Sequence, residues 1–473
     1  MNVADASQQD FATDHERLAG FTPAIESLAR DFGLDYHPVD FELVPNTFMM
    51  EVAVYGLPVR MPHWSFGVRY IYQHVQHRMG GSRIFEVVFP GNPNRAYLVA
   101  DNGLAENTLV TAHVLGHADF SKNNQLFARM QEQVGYRIVS QAAERANAIE
   151  AAIGEHGQAR VEAVLDAALA LEQHIDIHQP LNRPPYPETQ EQKTRKQPTG
   201  FAARYVRLPG EPEPGAPAAV GKAPVPPHAE TDLLWFIARY GPELEDWERD
   251  IFLAVREESY YFYPVFACQI MNEGWASYWH ARLLREADFL PEEVYLDAIK
   301  SHSDVVRPHA GEDGIALSIN PYHVGFAMWE RIIEDQGLDA ALRLRAEEDD
   351  FSFVRNHLDE KLADDLQLFA YTRRKPRPGD ERITVEKSKI DALRETLIAP
   401  KFNFAAPRVA ATAVAVDGSL TLQHDAETDG RGLDVDRARK VLAYVVRVWR
   451  RPVRLHTVDA GGKEEVLEVE ATG

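Results

Sequence analysis

The chain has 473 residues, with 50 Lys+Arg against 72 Asp+Glu and a formal net charge of −22. Hydrophobic residues at 45% and charged residues at 26% match an ordinary globular protein of two or three domains and exclude wholesale disorder. The acid excess argues against a general nucleic-acid binder, which needs a basic face for phosphate.

Met1 to Gly20 is acidic and polar, with no basic stretch followed by an apolar one, and no apolar run approaches the length of a membrane span. These features predict a cytoplasmic protein without a membrane span. Residues 1–14 are expected to form a tail. Apolar residues at helical spacing (Leu18, Phe21, Ile25, Leu28, Phe32) predict a helix over Asp14 to Phe32. Phe85 to Phe89 and Ala96 to Val99 are expected as short buried strands. Glu106 to about Ile175 is rich in Ala, Leu, Glu and Gln and is expected to be helical almost throughout. Four prolines in Pro180 to Pro187, and seven with three glycines in Pro209 to Glu230, predict a loop-like excursion. That excursion should be exposed and should pack little.

Helices are expected again over Leu233 to Tyr240, Glu243 to Tyr263, Pro264 to Arg285, Glu292 to Ser301, Pro321 to Gln336 and Ser352 to Leu368. Pro264 would then stand in a first turn. Within this block lies Cys268, the sole cysteine, so no intramolecular disulfide can form. Beyond Tyr371, strands at Arg382–Glu386, Ala411–Val416, Leu420–His424, Val453–Val458 and Val466–Val469 alternate with a helix over Asp434–Trp449. The expected architecture is therefore α+β: an α-rich core over 15–370 carrying the excursion at about 180–230, then a small α+β domain over 371–473.

Two segments concentrate chemistry. His113 and His117 are four apart on a predicted helix, so both imidazoles face one side and can converge on one ion. With 18 histidines in the chain such a pair also arises by chance, and a polar helix face is the plainer explanation. Glu273, Ser277 and His280 form one stripe of a second helix. A carboxylate and an imidazole there can be ligands, an acid/base pair or a buried hydrogen-bonded pair. Asn320 and Pro321 suit a helix cap and first turn, while His63 sits in an aromatic setting beside Trp64.

The two segments together are similar to the zincin metallopeptidases, which hold zinc with two His four apart and a Glu on a later helix. His113, His117 and Glu273 would be those ligands, with His280 as a fourth ligand or a partner orienting the others. The water-activating Glu that follows the first His in zincins is Val114 here. Another carboxylate, Glu258, Asp119 or Glu86, would have to serve as the base.

A wider set of strings resembles the stage V sporulation protein R (SpoVR-like) family. They are His63-Trp64-Ser65-Phe66-Gly67, Ala112-His113 to Gly116-His117, Lys122-Asn123-Asn124, Trp247-Glu248-Arg249-Asp250, Asn272-Glu273-Gly274-Trp275-Ala276 to His280, Asn320-Pro321-Tyr322 and Phe351 to Leu358. The resemblance covers roughly residues 15–370. Ser121 before Lys122 and His323 after Tyr322 depart from the family's usual Phe and Lys. The resemblance implies a link to spore cortex formation or, in bacteria that do not sporulate, to stress and stationary phase. It also implies a PrkA-type serine protein kinase and a von Willebrand A-like protein as partners, and no established reaction. Two functions are expected to compete. One is a metal-dependent, hydrolase-like activity on a divalent ion such as zinc. The other is a non-enzymatic regulatory or scaffold role beside the kinase.

Overall fold

The computed structural model describes residues 3–78, 86–178, 225–306, 320–368, 370–377, 380–386 and 390–471. Residues 180–224 of the excursion expected at about 180–230, and Phe85 of the first expected strand, lie outside the described residues. Contacts divide the chain into two units, each built from two stretches: Met1–Gln158 with Glu257–Ala405, and Ala159–Arg256 with Ala406–Gly473. The architecture is an α-rich body followed by a small C-terminal α+β region. The expected division at 370/371 does not coincide with this grouping. Residues 371–405 count with the first unit, and 159–256 fold with the C-terminal strands. No helix among the described residues is long and apolar enough to cross a membrane.

In the first unit, helix α1 (Val3–Asp31) already begins at Val3 and buries Leu18, Ile25 and Ala29. Strand β1 (Val39–Val44) leads to helices α2 (Asn46–Tyr55) and α3 (Trp64–Arg78), then to strands β2 (Glu86–Phe89) and β3 (Asn94–Val99). The sheet order is β1-β3-β2, with β1 parallel and β2 antiparallel to β3. The expected long helical run is cut into α4 (Leu104–Asn123), α5 (Gln125–Val134), α6 (Ile138–His156) and α7 (Gln158–Ala170). Asn124 makes the first cut, its carboxamide oxygen accepting from the Leu126 and Phe127 amides as a helix cap. Gly135 and Gly157, both at positive φ, end α5 and α6.

After α8 (Leu233–Tyr240), helix α9 (Asp246–Ala267) runs straight through Pro264, and α10 (Gln269–Arg285) starts only after Cys268. The expected break at Tyr263-Pro264 is therefore four residues early. The Asp350 carboxylate accepts the Ile270 and Met271 amides at 2.8 and 2.9 Å and so fixes the true start of α10. Helices α11 (Glu292–Val306), α12 (Pro321–Gln336), α13 (Leu338–Glu347) and α14 (Asp350–His357) follow, then the antiparallel strands β4 (Ala370–Arg377) and β5 (Asp380–Glu386). Asn320 caps α12, as its residue type predicts, by accepting from the Tyr322 amide at 3.0 Å.

The core of this unit lies where α4, α10 and α12 cross. Trp275 and Trp279 of α10 pack with Trp329 of α12 and Phe353 of α14. Two glycine contacts set the helix spacing. A Cβ on Gly116 of α4 would sit 2.6 Å from the Ala276 Cα of α10, and one on Gly274 would strike the Gly325 backbone of α12. Backbone cannot yield as a side-chain tip can. Gly274→Ala should therefore destabilise the protein at or beyond the roughly 3 kcal/mol upper end of overpacking costs. Denaturant unfolding of the variant beside the parent checks this, and an unchanged midpoint would show that the helices can part.

In the second unit, strands β6 (Val409–Val414), β7 (Leu420–His424), β8 (Val453–Val458) and β9 (Glu464–Val469) form a sheet in chain order, with only β7–β8 parallel. An antiparallel bridge joins Glu230 to Ala411 of β6, and Phe236 of α8 stacks on Trp449 at 5.9 Å. Those contacts are why residues before 256 fold with strands beyond 406.

Candidate metal centre

Helix α4 supplies two imidazoles. It is buried on nearly every side, so His113 and His117 project from it into the interior of the first unit, one turn apart. Their rings meet edge-on with centroids 4.5 Å apart. Val114, at the position where zincins carry their base, is fully buried with Ala96, Leu98, Leu109 and Val110. It faces a hydrophobic cluster that also holds residues of strand β3.

Close packing of α10 against α4 at Gly116–Ala276 brings Glu273 to the imidazoles. Its Oε2 lies 3.5 Å from His113 Nε2 and 3.4 Å from His117 Nε2. Glu86 arrives from the edge of the sheet, on β2, with Oε1 3.7 Å from His113 Nε2. The donor atoms of Glu86, His113 and His117 all lie within 4.8 Å of one another. Four donors placed about 2.1 Å from one ion at tetrahedral angles stand roughly 3.4 Å apart, so the observed spacings fit a shared divalent cation. His113 Nε2 and Glu273 Oε2 are buried, and neither has a well-formed hydrogen bond among the described residues. Orphaned donors and acceptors of this kind are costly unless something satisfies them. The side chains of Glu273 and Glu86 remain 20% and 14% exposed, which leaves an approach for small molecules.

The supporting contacts orient the set. His117 Nδ1 bonds Asn272 Oδ1 at 2.9 Å, so Nδ1 donates to the amide oxygen and Nε2 is left facing Glu273. The Tyr322 ring of α12 stacks on His113 with centroids 6.0 Å apart, and its phenol feels the Glu273 charge. His280 Nδ1 bonds His113 Nδ1 at 2.9 Å, and its Nε2 bonds His302 Nδ1 at 2.6 Å. Both nitrogens of His280 are thus occupied by other imidazoles. It stands between His113 and His302, in contact with both.

Electrostatics follow from burial and these pairings. Burial raises the Glu273 carboxyl, but His117 and His113 outweigh it and hold it well below the usual carboxylate range. Burial lowers His117, and Glu273 more than restores it, leaving it above an ordinary imidazole. Glu86 is pushed up by burial, against the pull of His113. Burial, then the neighbouring His113, drives His280 well below its normal value and takes His302 down to about 4.

Of the three candidate bases, Glu86 is the one that stands beside the imidazole nitrogens. Asp119 accepts from Arg345 at 2.7 and 2.6 Å, from the Trp275 indole at 2.8 Å and from the Asp35 amide at 2.8 Å. Its oxygens are committed to holding helices together. Glu258 is buried and paired to Arg60 at 2.6 Å. His63 Nδ1 bonds the Ser65 hydroxyl at 2.7 Å at the start of α3. Three contributors escaped the reading of the chain: Asn272, Tyr322 and His302. The first two lie inside strings quoted above, and a polar residue adjacent to a proposed ligand is the signal that marks Asn272. Nothing in the sequence around His302 marks it.

Comparison with known proteins bears on this arrangement. The family described as SpoVR like protein matches residues 12–405, and the SpoVR-like C-terminal domain matches residues 408–460. A relative described as an uncharacterized protein, YcgB, of Escherichia coli (strain K12) is 30% identical over 492 residues, covering 94% of this chain and 92% of its own. No solved structure matches.

Proposed function

The chain belongs to the SpoVR-like family, and on that premise we propose that its first unit binds one divalent cation, zinc or a similar ion, and hydrolyses amide-type bonds. The observation that supports this most is the approach of Glu273 Oε2 to both imidazole Nε2 atoms at 3.4–3.5 Å in a buried setting. His113, His117 and Glu273 would hold the ion. Bound there, it would supply Lewis acidity and a water of lowered pKa. Glu86 is the proton acceptor in this reading, because burial raises its carboxyl into a more basic range and, of the candidate bases, it is the one beside the imidazoles. Tyr322 packs its ring against His113, and Asn272 fixes the tautomer of His117. We propose the physiological setting that the resemblance implies: the cytoplasm, in spore cortex formation or stress and stationary phase, beside a PrkA-type kinase and a von Willebrand A-like protein.

Val114 also favours a second reading, in which the same ion is structural and the protein is a regulatory scaffold for the kinase. Elemental analysis of protein purified without a His tag, followed by a screen of peptide and amide substrates, separates the two. The enzymatic reading expects one ion per chain and turnover that falls about 10²–10⁴-fold in Glu86→Gln while the ion is retained. A full complement of metal with no turnover on any amide supports the scaffold. Protein without metal overturns the metal centre and leaves the scaffold reading with the cluster as a buried polar network.

A further inference from the structure

We infer that His302, on α11, is a positioning residue for this centre: through His280 it fixes which nitrogen His113 presents to the cation. The inference rests on the metal-centre reading and deepens it. Three imidazoles from three helices stand in a row, His113 Nδ1 to His280 Nδ1 at 2.9 Å and His280 Nε2 to His302 Nδ1 at 2.6 Å. Each contact joins two ring nitrogens and holds one proton, which belongs to one partner or the other. A cation on His113 Nε2 requires a lone pair there, so the proton of that neutral ring sits on Nδ1. His113 then donates to His280 Nδ1, which must be bare. The proton of His280 is consequently on Nε2, where it donates to His302 Nδ1. His302 in turn carries its proton on Nε2. One choice at the cation end thus sets the tautomer of every ring in the row.

The packing suits that task. His280 is fully buried, so its Nε2 proton has no water to fall back on, and His302 Nδ1 is the acceptor the structure provides. His302 itself is half-buried, with its ring edge-on to Phe326 of α12 at 5.2 Å and to His280 at 4.8 Å. Removing the His302 acceptor strands the His280 proton. It then favours the opposite tautomer of His280, whose Nδ1 proton faces His113 Nδ1; that nitrogen must then accept, so the His113 proton moves to Nε2 and takes up the lone pair the cation needs.

Two variants of the full chain test this with zinc as the probe. His302→Phe keeps a ring against Phe326 but offers no acceptor. His302→Asn restores an acceptor oxygen near the position of Nδ1. Zinc affinity, measured by competition against a chromophoric chelator, should fall about 10–100-fold in His302→Phe, the usual cost of losing a partner that orients a ligand. It should recover most of that loss in His302→Asn. Nitrogen-15 NMR of the zinc-loaded parent should show His280 and His302 both protonated on Nε2. A merely structural role for His302 would move neither the tautomer nor the rescue. Thermal melts of the metal-free variants identify one that fails to fold, and the parent's tautomers decide the matter in that event. Zinc bound tightly with His280 protonated on Nδ1, or equal affinity in His302→Phe and the parent, overturns the inference and leaves the metal centre standing. A parent that binds no zinc overturns the centre and the inference together.

Discussion

Protein carrying His117→Ala should hold no stoichiometric zinc under conditions where the parent holds one ion per chain. The variant removes a donor that lies 3.4 Å from Glu273 and leaves His113, Glu273 and Glu86 of the cluster. The loss should exceed the roughly 10–100-fold that an orienting contact contributes, which is what Asn272→Ala should show instead. Affinity should also depend on pH in a defined direction. Burial alone would lower His117, but Glu273 holds it above the ordinary imidazole value of 6.5. A ligand must be deprotonated to bind, so zinc and a proton compete for Nε2. Binding should release protons and should begin to weaken on acidification while the pH is still above 6.5. Calorimetric titrations in buffers of differing ionisation enthalpy check both points; a pH-independent affinity would place the ion elsewhere. The metal-free protein adds a second readout. Glu273, held low, contributes stability above its unfolded pKa of about 4.5 that disappears as pH falls. His117, held high, contributes stability below about 6.5 that disappears as pH rises through its folded value. Their ion pair therefore supports the apo fold across the interval between, and His117→Ala should lower the apo melting temperature most there.

The local part of this centre is legible in the chain and the long-range part is not. Helical period alone puts His113 over His117, and Glu273 on a stripe with His280. What period cannot give is where a distant element arrives. Glu86 comes from a strand before α4, and Tyr322 and His302 come from helices after α10. Their approach depends on how closely α4, α10 and α12 cross, which Gly116, Gly274 and Gly325 decide by having no side chain. The same limit governs the units. The β6–β9 strands are visible as alternating segments, but the pairing of Glu230 with Ala411 and the stacking of Phe236 on Trp449 join residues some 180–210 positions apart. A break read from Pro264 misplaces the start of α10, because what ends α9 there is a carboxylate 80 residues onward, Asp350, that caps the next helix. Proline at the end of a helix costs one hydrogen bond. The buried cap determines where the next one begins.

Asp119→Asn should be among the most damaging single substitutions in the protein, even though it is nearly isosteric and lies two residues past a proposed ligand. The Asp119 side chain is fully buried, and Arg345 is 9% exposed on its side chain. The pair links α4 to α13, while the Trp275 indole and the Asp35 amide donate to the same carboxylate from α10 and from the segment after α1. Removing the negative charge leaves the guanidinium buried with no countercharge, a situation that typically costs about 3–5 kcal/mol. Burial raises the Asp119 carboxyl and Arg345 pulls it back only in part, so the ion pair exists at a net desolvation cost. That sign makes a second result follow. Replacing both members together, Asp119→Leu with Arg345→Met, removes the stranded charge along with the pair, and should cost less than Asp119→Asn alone. Denaturant midpoints for the two singles and the double, arranged as a double-mutant cycle, measure the coupling directly. A catalytic Asp119 would behave otherwise: the fold of Asp119→Asn would survive with an unchanged midpoint while turnover disappeared. Coupling near zero between Asp119 and Arg345 would equally refute the structural role. The convergence of Arg345, the Trp275 indole and the Asp35 amide on one buried carboxylate argues for the large coupling.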